Sequence, residues 1–262
     1  QPASALTLSQ TTTHVSCFGG NNGYINLSAT GGTPGYGYVW SNTSTTEDLS
    51  NVVSGGYSVV VTDANGCTSN LSVLVNQPSS LVSVSGTVTN VLCFGGTTGS
   101  ITSTGQGGTS PYSYAWSNGE TTSQVNGLSA GLYTVTVSDA NGCTATQTWS
   151  VTQPSALSLQ STNTNILCYG QSSGSITSQA SGGVTPYSYT WTNGMTGSNI
   201  LNVPAGPYFV TVVDGNGCSA TFSDTVYQPT TALTLSTSIV NNNCFGAATG
   251  SIDNTVTGGT SP

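Results

Sequence analysis

Lysine and arginine are absent from all 262 residues, histidine occurs once, and eight acidic residues leave a net charge of -8. A nucleic-acid binder must neutralise phosphates with basic side chains, and a polybasic membrane-surface segment needs the same residues, so both classes are excluded. The same lack removes the P-loop lysine, the arginine finger, the Schiff-base lysine and the bidentate carboxylate clamp. Also missing is any run of eighteen apolar residues or a charged-then-apolar leader, so we expect neither a membrane span nor a signal peptide within this stretch.

Glycine and proline are plentiful, together 44 of 262 residues or 17%, yet this lies under the roughly 25–30% that marks unfolded low complexity. Leu, Ile, Val and Phe make up about a fifth of the chain, at the margin of the disorder criterion, but twelve Tyr and four Trp add large apolar bodies that disordered segments lack. We therefore expect a folded protein. Seven cysteines in a chain so rich in Ser, Thr, Asn and Gly point to an oxidising, extracellular setting.

The chain repeats itself every 75 to 76 residues. Cys17-Phe18-Gly19 recurs as Cys93-Phe94-Gly95, Cys168-Tyr169-Gly170 and Cys244-Phe245-Gly246. The aromatic series Tyr36, Tyr38, Trp40 recurs as Tyr112, Tyr114, Trp116 and as Tyr187, Tyr189, Trp191. Asp63-Ala64-Asn65-Gly66-Cys67 matches Asp139 to Cys143 and Asp214 to Cys218, and units close on Gln77-Pro78, Gln153-Pro154 and Gln228-Pro229. These landmarks set repeat 1 at 3–78, repeat 2 at 79–154, repeat 3 at 155–229 and the truncated start of repeat 4 at 230–262. Gln1-Pro2 reads as the tail of a preceding unit. A period this long makes each unit a small domain, since solenoid turns run 20 to 50 residues.

Short alternating stretches between Gly, Asn, Ser and Pro clusters, with no sustained helical period, predict an all-β class. In repeat 2 we read strands at Leu81–Val84, Thr87–Val91, Gly99–Thr104, Tyr112–Trp116, Gln124–Leu128, Tyr133–Val137 and Thr144–Val151. That many strands in about 75 residues imply a compact immunoglobulin-like β-sandwich. Alternation in Tyr133-Thr134-Val135-Thr136-Val137 sends the odd positions inward. The aromatics Tyr38, Trp40, Tyr114, Trp116, Tyr189 and Trp191 read as core, with phenol oxygens bonded at the rim. Asp224 stands where a core residue would be expected, which places that position near an edge.

The cysteine intervals alternate between 50 and 25 or 26, leaving Cys244 without a mate. Two schemes follow. One staples each repeat internally, Cys17–Cys67, Cys93–Cys143 and Cys168–Cys218; the other links Cys67 to Cys93 and Cys143 to Cys168 across the boundaries. The first gives one disulfide per repeat and supplies a small domain with a staple, so we expect it, although six cysteines allow fifteen connectivities. There is neither a C-x-x-C pair nor a Cys/His cluster, and His14 belongs to one repeat alone, so zinc or redox chemistry is not indicated.

Two readings attach to Asp63, Asn65 and Gly66 and to their counterparts Asp139, Asn141, Gly142 and Asp214, Asn216, Gly217. They are calcium-ligating oxygens between domains, or a tight turn in which Asp accepts backbone N–H groups and Asn-Gly supplies positive φ. One carboxylate per site is few for a hard cation, and we expect the turn, with no cofactor. Glu47-Asp48 and Glu120 do not repeat and read as solvated loop charges. No catalytic residue is expected. Asn26, Asn42 and Asn70 lie in N-x-Ser/Thr triplets and read as ordinary polar surface.

Assembled, the motif is Cys-Phe-Gly-x(3)-Gly-Ser-Ile, then Gly-Gly-Thr-x-Pro-Tyr-x-Tyr-x-Trp-Ser-Asn-Gly, then Ala-Gly-x-Tyr-x-Val-x-Val-x-Asp-Ala-Asn-Gly-Cys. It resembles the SprB repeat of large cell-surface adhesins in gliding Bacteroidota. Departures are local: Gly35-Tyr36 replaces Pro-Tyr, and Met195 stands where repeat 2 has Glu120. The resemblance implies export by the type IX route, attachment outside the outer membrane, and a filament moved by an envelope motor to produce gliding. It also makes Thr225, within Asp224-Thr225-Val226, a candidate O-glycan acceptor. The expected partners are environmental surfaces or glycans, other copies in a filament, and secretion and gliding machinery through segments outside this chain. The alternative reading is a lectin-like array that recognises glycan through aromatic and Asn-rich loops.

Overall fold

A computed structural model describes residues 4 to 260; the Gln1-Pro2 tail and Pro262 lie outside the described residues. Every regular element among them is a strand. Repeat 1 carries β1 (Thr7–Thr13), β2 (Gly23–Thr30), β3 (Gly37–Trp40), β4 (Leu49–Val52), β5 (Gly55–Thr62) and β6 (Thr68–Val75). Repeat 2 carries β7 (Ser83–Thr89), β8 (Gly99–Gln106), β9 (Ser113–Trp116), β10 (Gln124–Leu128), β11 (Gly131–Ser138) and β12 (Thr144–Val151). Repeat 3 carries β13 (Ser158–Thr164), β14 (Gly174–Ser181), β15 (Ser188–Trp191), β16 (Asn199–Val203), β17 (Gly206–Val213) and β18 (Ser219–Val226). The fourth begins with a hairpin of β19 (Thr234–Val240) and β20 (Ser251–Thr257).

Each set of six forms two antiparallel three-stranded sheets, ordered β1-β2-β4 and β3-β5-β6 in repeat 1 and likewise in the next two. The all-β, immunoglobulin-like class expected from alternation is the class observed. Backbone packing divides the chain into two compact units, one of Gln1–Thr89 with Gly99–Val151, the other of Asn90–Thr98 with Thr152–Pro262. Their borders do not follow the repeat period, because the loop carrying Cys93 packs with the repeat that follows it.

The core lies between the paired sheets. In repeat 1, Ile25, Val59 and Val61 are fully buried and Trp40, Leu27 and Val75 nearly so. Ile101, Val135 and Val137 hold the same places in repeat 2, and Ile176, Val210 and Val212 in repeat 3. Each such side chain contributes about 1.5–3 kcal/mol on leaving water. Along β11 the inward set is Tyr133, Val135 and Val137, the register that alternation predicts.

Strands β10 and β12 span the residues read from sequence, and β8, β9 and β11 differ only at their ends. The two early strands expected at Leu81–Val84 and Thr87–Val91 are one strand, β7. Between the two ranges, Gly86 lies under the indole of Trp149: a Cβ there would come within 2.9 Å of Cζ2. A glycine inside a strand here marks close approach, not an end. Trp149 in turn sits against Trp116, with ring centroids 5.6 Å apart.

Trp149 is replaced by Val73 in repeat 1 and Asp224 in repeat 3, on the last strand of each sandwich. That strand is an edge, and it meets the edge of the facing sheet. Asp224 is accommodated there because Ser161 Oγ donates to it at 2.7 Å and Asn163 Nδ2 at 2.8 Å. Burial pushes this carboxyl upward, but those two donors and the Thr225 N–H outweigh it and hold it below the usual carboxylate range. Thr225 is half-buried on the same strand, opposite Pro207.

Candidate functional site

The places where one repeat joins the next concentrate the recurring residues. Each joint is built from two loops. The first-cysteine loop leaves the first strand of a repeat; in repeat 1, Gly20 N donates to Cys17 O at 2.9 Å and Gly19 adopts φ +74°. It is tied to the end of the last strand, since Val15 N donates to Asn76 O and Gly19 N donates to Gln77 Oε1 at 2.8 Å. Gln153 receives Gly95 N and Gln228 receives Gly170 N in the same way. The Gln of each Gln-Pro pair therefore holds the cysteine loop, a role that spacing did not show.

His14 belongs to this end as well. Its Nδ1 accepts from Asn76 N at 3.1 Å, where Asn90 and Asn165 Oδ1 accept from Thr152 N and Tyr227 N. The histidine stands in for an asparagine acceptor.

The second-cysteine loop is the turn between the last two strands. In repeat 2, Asp139 Oδ1 accepts from Asn141 N at 2.9 Å and Cys143 N at 2.8 Å, while Oδ2 accepts from Thr109 N at 2.8 Å. Asp63 makes the same three bonds to Asn65, Cys67 and Thr33, and Asp214 to Asn216, Cys218 and Val184. Gly66, Gly142 and Gly217 take φ +83°, +81° and +82° to close the turn. All three carboxylates are buried. The bond from Thr33 N leads in holding Asp63 below the usual carboxylate range; at Asp139 and Asp214, burial pushes upward and the backbone donors outweigh it.

A carboxylate held low stabilises the fold fully above its unfolded value near pH 4, and the contribution fades as pH falls through the lower folded value. Acid unfolding is therefore expected only in strong acid. Asp139→Asn turns one acceptor oxygen into a donor facing a backbone N–H. It should lower the melting midpoint of repeat 2 at pH 7 by on the order of 10 °C and flatten its acid dependence. Calorimetry from pH 2 to 7 checks both, and an unchanged midpoint would discard this role.

The loops meet across the joint, and here the expected pairing fails. Cys17 is bonded to Cys143, with Cα atoms 5.7 Å apart, and Cys93 to Cys218, at 5.6 Å. The intradomain pairs Cys17–Cys67, Cys93–Cys143 and Cys168–Cys218 do not form, nor do the boundary links Cys67–Cys93 and Cys143–Cys168. Cys67, Cys168 and Cys244 are free and exposed. Strand length is the reason. The residues flanking Cys17, Val15 and Gly19, bond to Asn76 and Gln77 just past the end of β6, and Cys67 directly precedes Thr68 at its start. Eight residues at about 3.3 Å each part the two by roughly 25 Å, whereas a bridge needs Cα atoms within about 7 Å. In the first unit, the second-cysteine turn of repeat 2 instead abuts the first-cysteine loop of repeat 1. Cys17 and Cys93 thus take the second cysteine of the repeat that follows their own.

The turn's asparagine adds to the contact. Asn141 Nδ2 donates to Ser16 O at 2.9 Å, and Asn216 Nδ2 to Leu92 O at 2.9 Å. In repeat 1, Asn65 Nδ2 turns to its own Thr33 Oγ1 at 2.6 Å. A shallow groove beside each bridge is lined by Phe18, Leu81 and Gly108 at the first joint and by Phe94, Ala156 and Gly183 at the second.

None of the core aromatics lines the groove beside a bridge. Trp40, Trp116 and Trp191 are buried, their Nε1 donating to Thr46, Thr122 and Gly197 carbonyls. Tyr38, Tyr114 and Tyr189 are half-buried, the latter two accepting from Gly105 N and Ala180 N. Burial, and then Glu47, push the Tyr38 phenol up to about 12. Asp48 is not merely solvated: it accepts from Leu27 N at 3.0 Å and from Tyr24 Oη at 2.8 Å. Among the described residues no cluster of three His, Cys, Asp or Glu side chains is placed to hold a metal.

The class defined by this geometry is a tandem array of immunoglobulin-like sandwiches with disulfide bonds between residues of successive repeats. The SprB repeat family profile matches residues 9–45, 85–121 and 161–196, so the chain carries three SprB repeats. Each match ends after the central tryptophan strand and leaves the second-cysteine loop outside it. No curated protein sequence matches the chain. Among solved structures it is similar to the eight N-terminal Ig domains of Down Syndrome Cell Adhesion Molecule (12% identity, TM-score 0.34), covering 86% of this chain and 43% of that one. It is similar to domains 4–9 of the surface layer protein SbsC (17%, TM-score 0.27), covering 90% and 49%. A tetra-tandem repeat in the extending region of a large adhesion protein also matches (14%, TM-score 0.24), covering 97% and 87%. The chain thus spans under half of the first of these.

Proposed function

We propose that this chain is a stretch of the repeat region of a cell-surface adhesin, a non-catalytic stalk that holds an adhesive surface away from the cell and supports attachment and gliding. The observation that supports it is the joint: successive repeats are bonded covalently by residues that recur with the period. The three SprB repeats agree with that reading. Catalysis needs convergent titratable groups, and here the repeating carboxylates are spent on backbone amides of a turn. The stalk works without a metal cofactor, so EDTA is expected to leave the melting midpoint unchanged; a fall would restore calcium at the Asp-x-Asn-Gly turns.

A specific observation favours a second reading. The aromatic after each first cysteine, Phe18, Phe94, Tyr169 and Phe245, is at least 40% exposed. Such rings beside a shallow groove suit stacking against sugar faces, as in a lectin-like array. One experiment separates the two. Beads bearing many copies of the chain, and the free chain, are applied to glass, polystyrene and a glycan array. A stalk with weak repeated contacts retains beads on several surfaces while the free chain binds poorly, because avidity comes from copy number. Saturable binding of the free chain to one glycan, lost in Phe18→Ala/Phe94→Ala, would replace the stalk with the lectin reading.

A further inference from the structure

The two bridges overlap along the chain. The first closes the loop from Cys17 to Cys143, and the second opens at Cys93 and closes at Cys218, so residues 93 to 143 lie inside both. We infer that this interlock makes the chain proof against single backbone cuts: hydrolysis of any one peptide bond between Cys17 and Cys218 leaves it in one covalent piece. A cut before Cys93 is spanned by the first bridge, a cut after Cys143 by the second, and a cut between them by both. Intradomain staples would leave the stretches 68–92 and 144–167 unprotected, and these hold the Gln77-Pro78 and Gln153-Pro154 junctions. Junctions between domains are the preferred sites of proteolytic nicking. The interlock covers the bonds most open to attack. In any longer run of such repeats, the same register bonds every repeat to both neighbours.

The absence of lysine and arginine makes the test clean, because one introduced lysine is the sole tryptic site. Ser79 is exposed and follows Pro78 between repeats 1 and 2. Ser79→Lys chain is digested with trypsin in mild denaturant until the reducing gel shows complete conversion to two fragments. The non-reducing gel should then show a single species of the uncut size, 26.3 kDa. Adding Cys17→Ser should release the fragments without reductant. Glu120→Lys places the cut inside both loops; there either Cys17→Ser or Cys93→Ser alone should leave one piece, and only the two together should release fragments. Separation of the Ser79→Lys digest without reductant, or of the Glu120→Lys, Cys93→Ser digest, overturns the interlock. These outcomes do not depend on adhesion, so the stalk reading stands or falls separately.

Discussion

Reduction of the two bridges is expected to lower the thermal midpoint by more than 10 °C and to turn a shared transition into separate ones for each repeat. Each bridge closes a loop of about 125 residues. In the chain-entropy model such a loop contributes about 5 kcal/mol. A domain below about 80 residues draws only roughly 3–5 kcal/mol from its core, so the bridges rival the cores they join. Because each bond sits between two sandwiches, Cys17→Ser should destabilise repeats 1 and 2 together and spare repeat 3. Calorimetry with and without a phosphine reductant measures this, and coincident scans would refute it. Peptide mapping of the oxidised chain should return Cys17–Cys143 and Cys93–Cys218, with alkylated Cys67, Cys168 and Cys244.

Loss of one indole should be as severe but local. Trp116 is buried, donates from Nε1 to Thr122 O at 2.9 Å and packs against Trp149. Truncating a buried Trp to Ala costs about 3–5 kcal/mol, comparable with the whole stability of one small sandwich. Trp116→Ala is therefore expected to strip hydrogen-exchange protection from β8 and β11 while β2 and β14 keep theirs. Protection retained in β11 would show that the core tolerates the cavity. Trp40 and Trp191 hold the same position in their repeats, so either substitution should move the loss to its own sandwich.

Much of the sandwich was legible because strands write their facing into a period of two. Tyr133, Val135 and Val137 alternate with threonine, and that alternation places the core without reference to any other strand. Strand β7 was read as two strands, Leu81–Val84 and Thr87–Val91, because local sequence does not reveal that an indole lies over Gly86. The Asp-x-Asn-Gly turn was legible for the same reason as the strands: its bonds to Asn141 and Cys143 close within four residues. The Gln77 contact to Gly19, 58 residues away, has no local signature. Recurrence marked the glutamine but not its partner. His14 looked anomalous until Asn90 and Asn165 were found in the same role.

Composition and repetition settled the charge, the class of fold, the strand register and the spacing of the cysteines, all of which depend on residues near one another in the chain. Which sulfur meets which depends instead on where strand ends lie in space. An interval of 50 residues looks the same whether two cysteines share one end of a sandwich or stand at opposite ends, and the eight-residue span of β6 puts Cys17 and Cys67 at opposite ends. Stacking of one sandwich on the next then brings Cys143 within bonding reach of Cys17, because a disulfide is governed by a few ångströms of separation and not by distance along the chain.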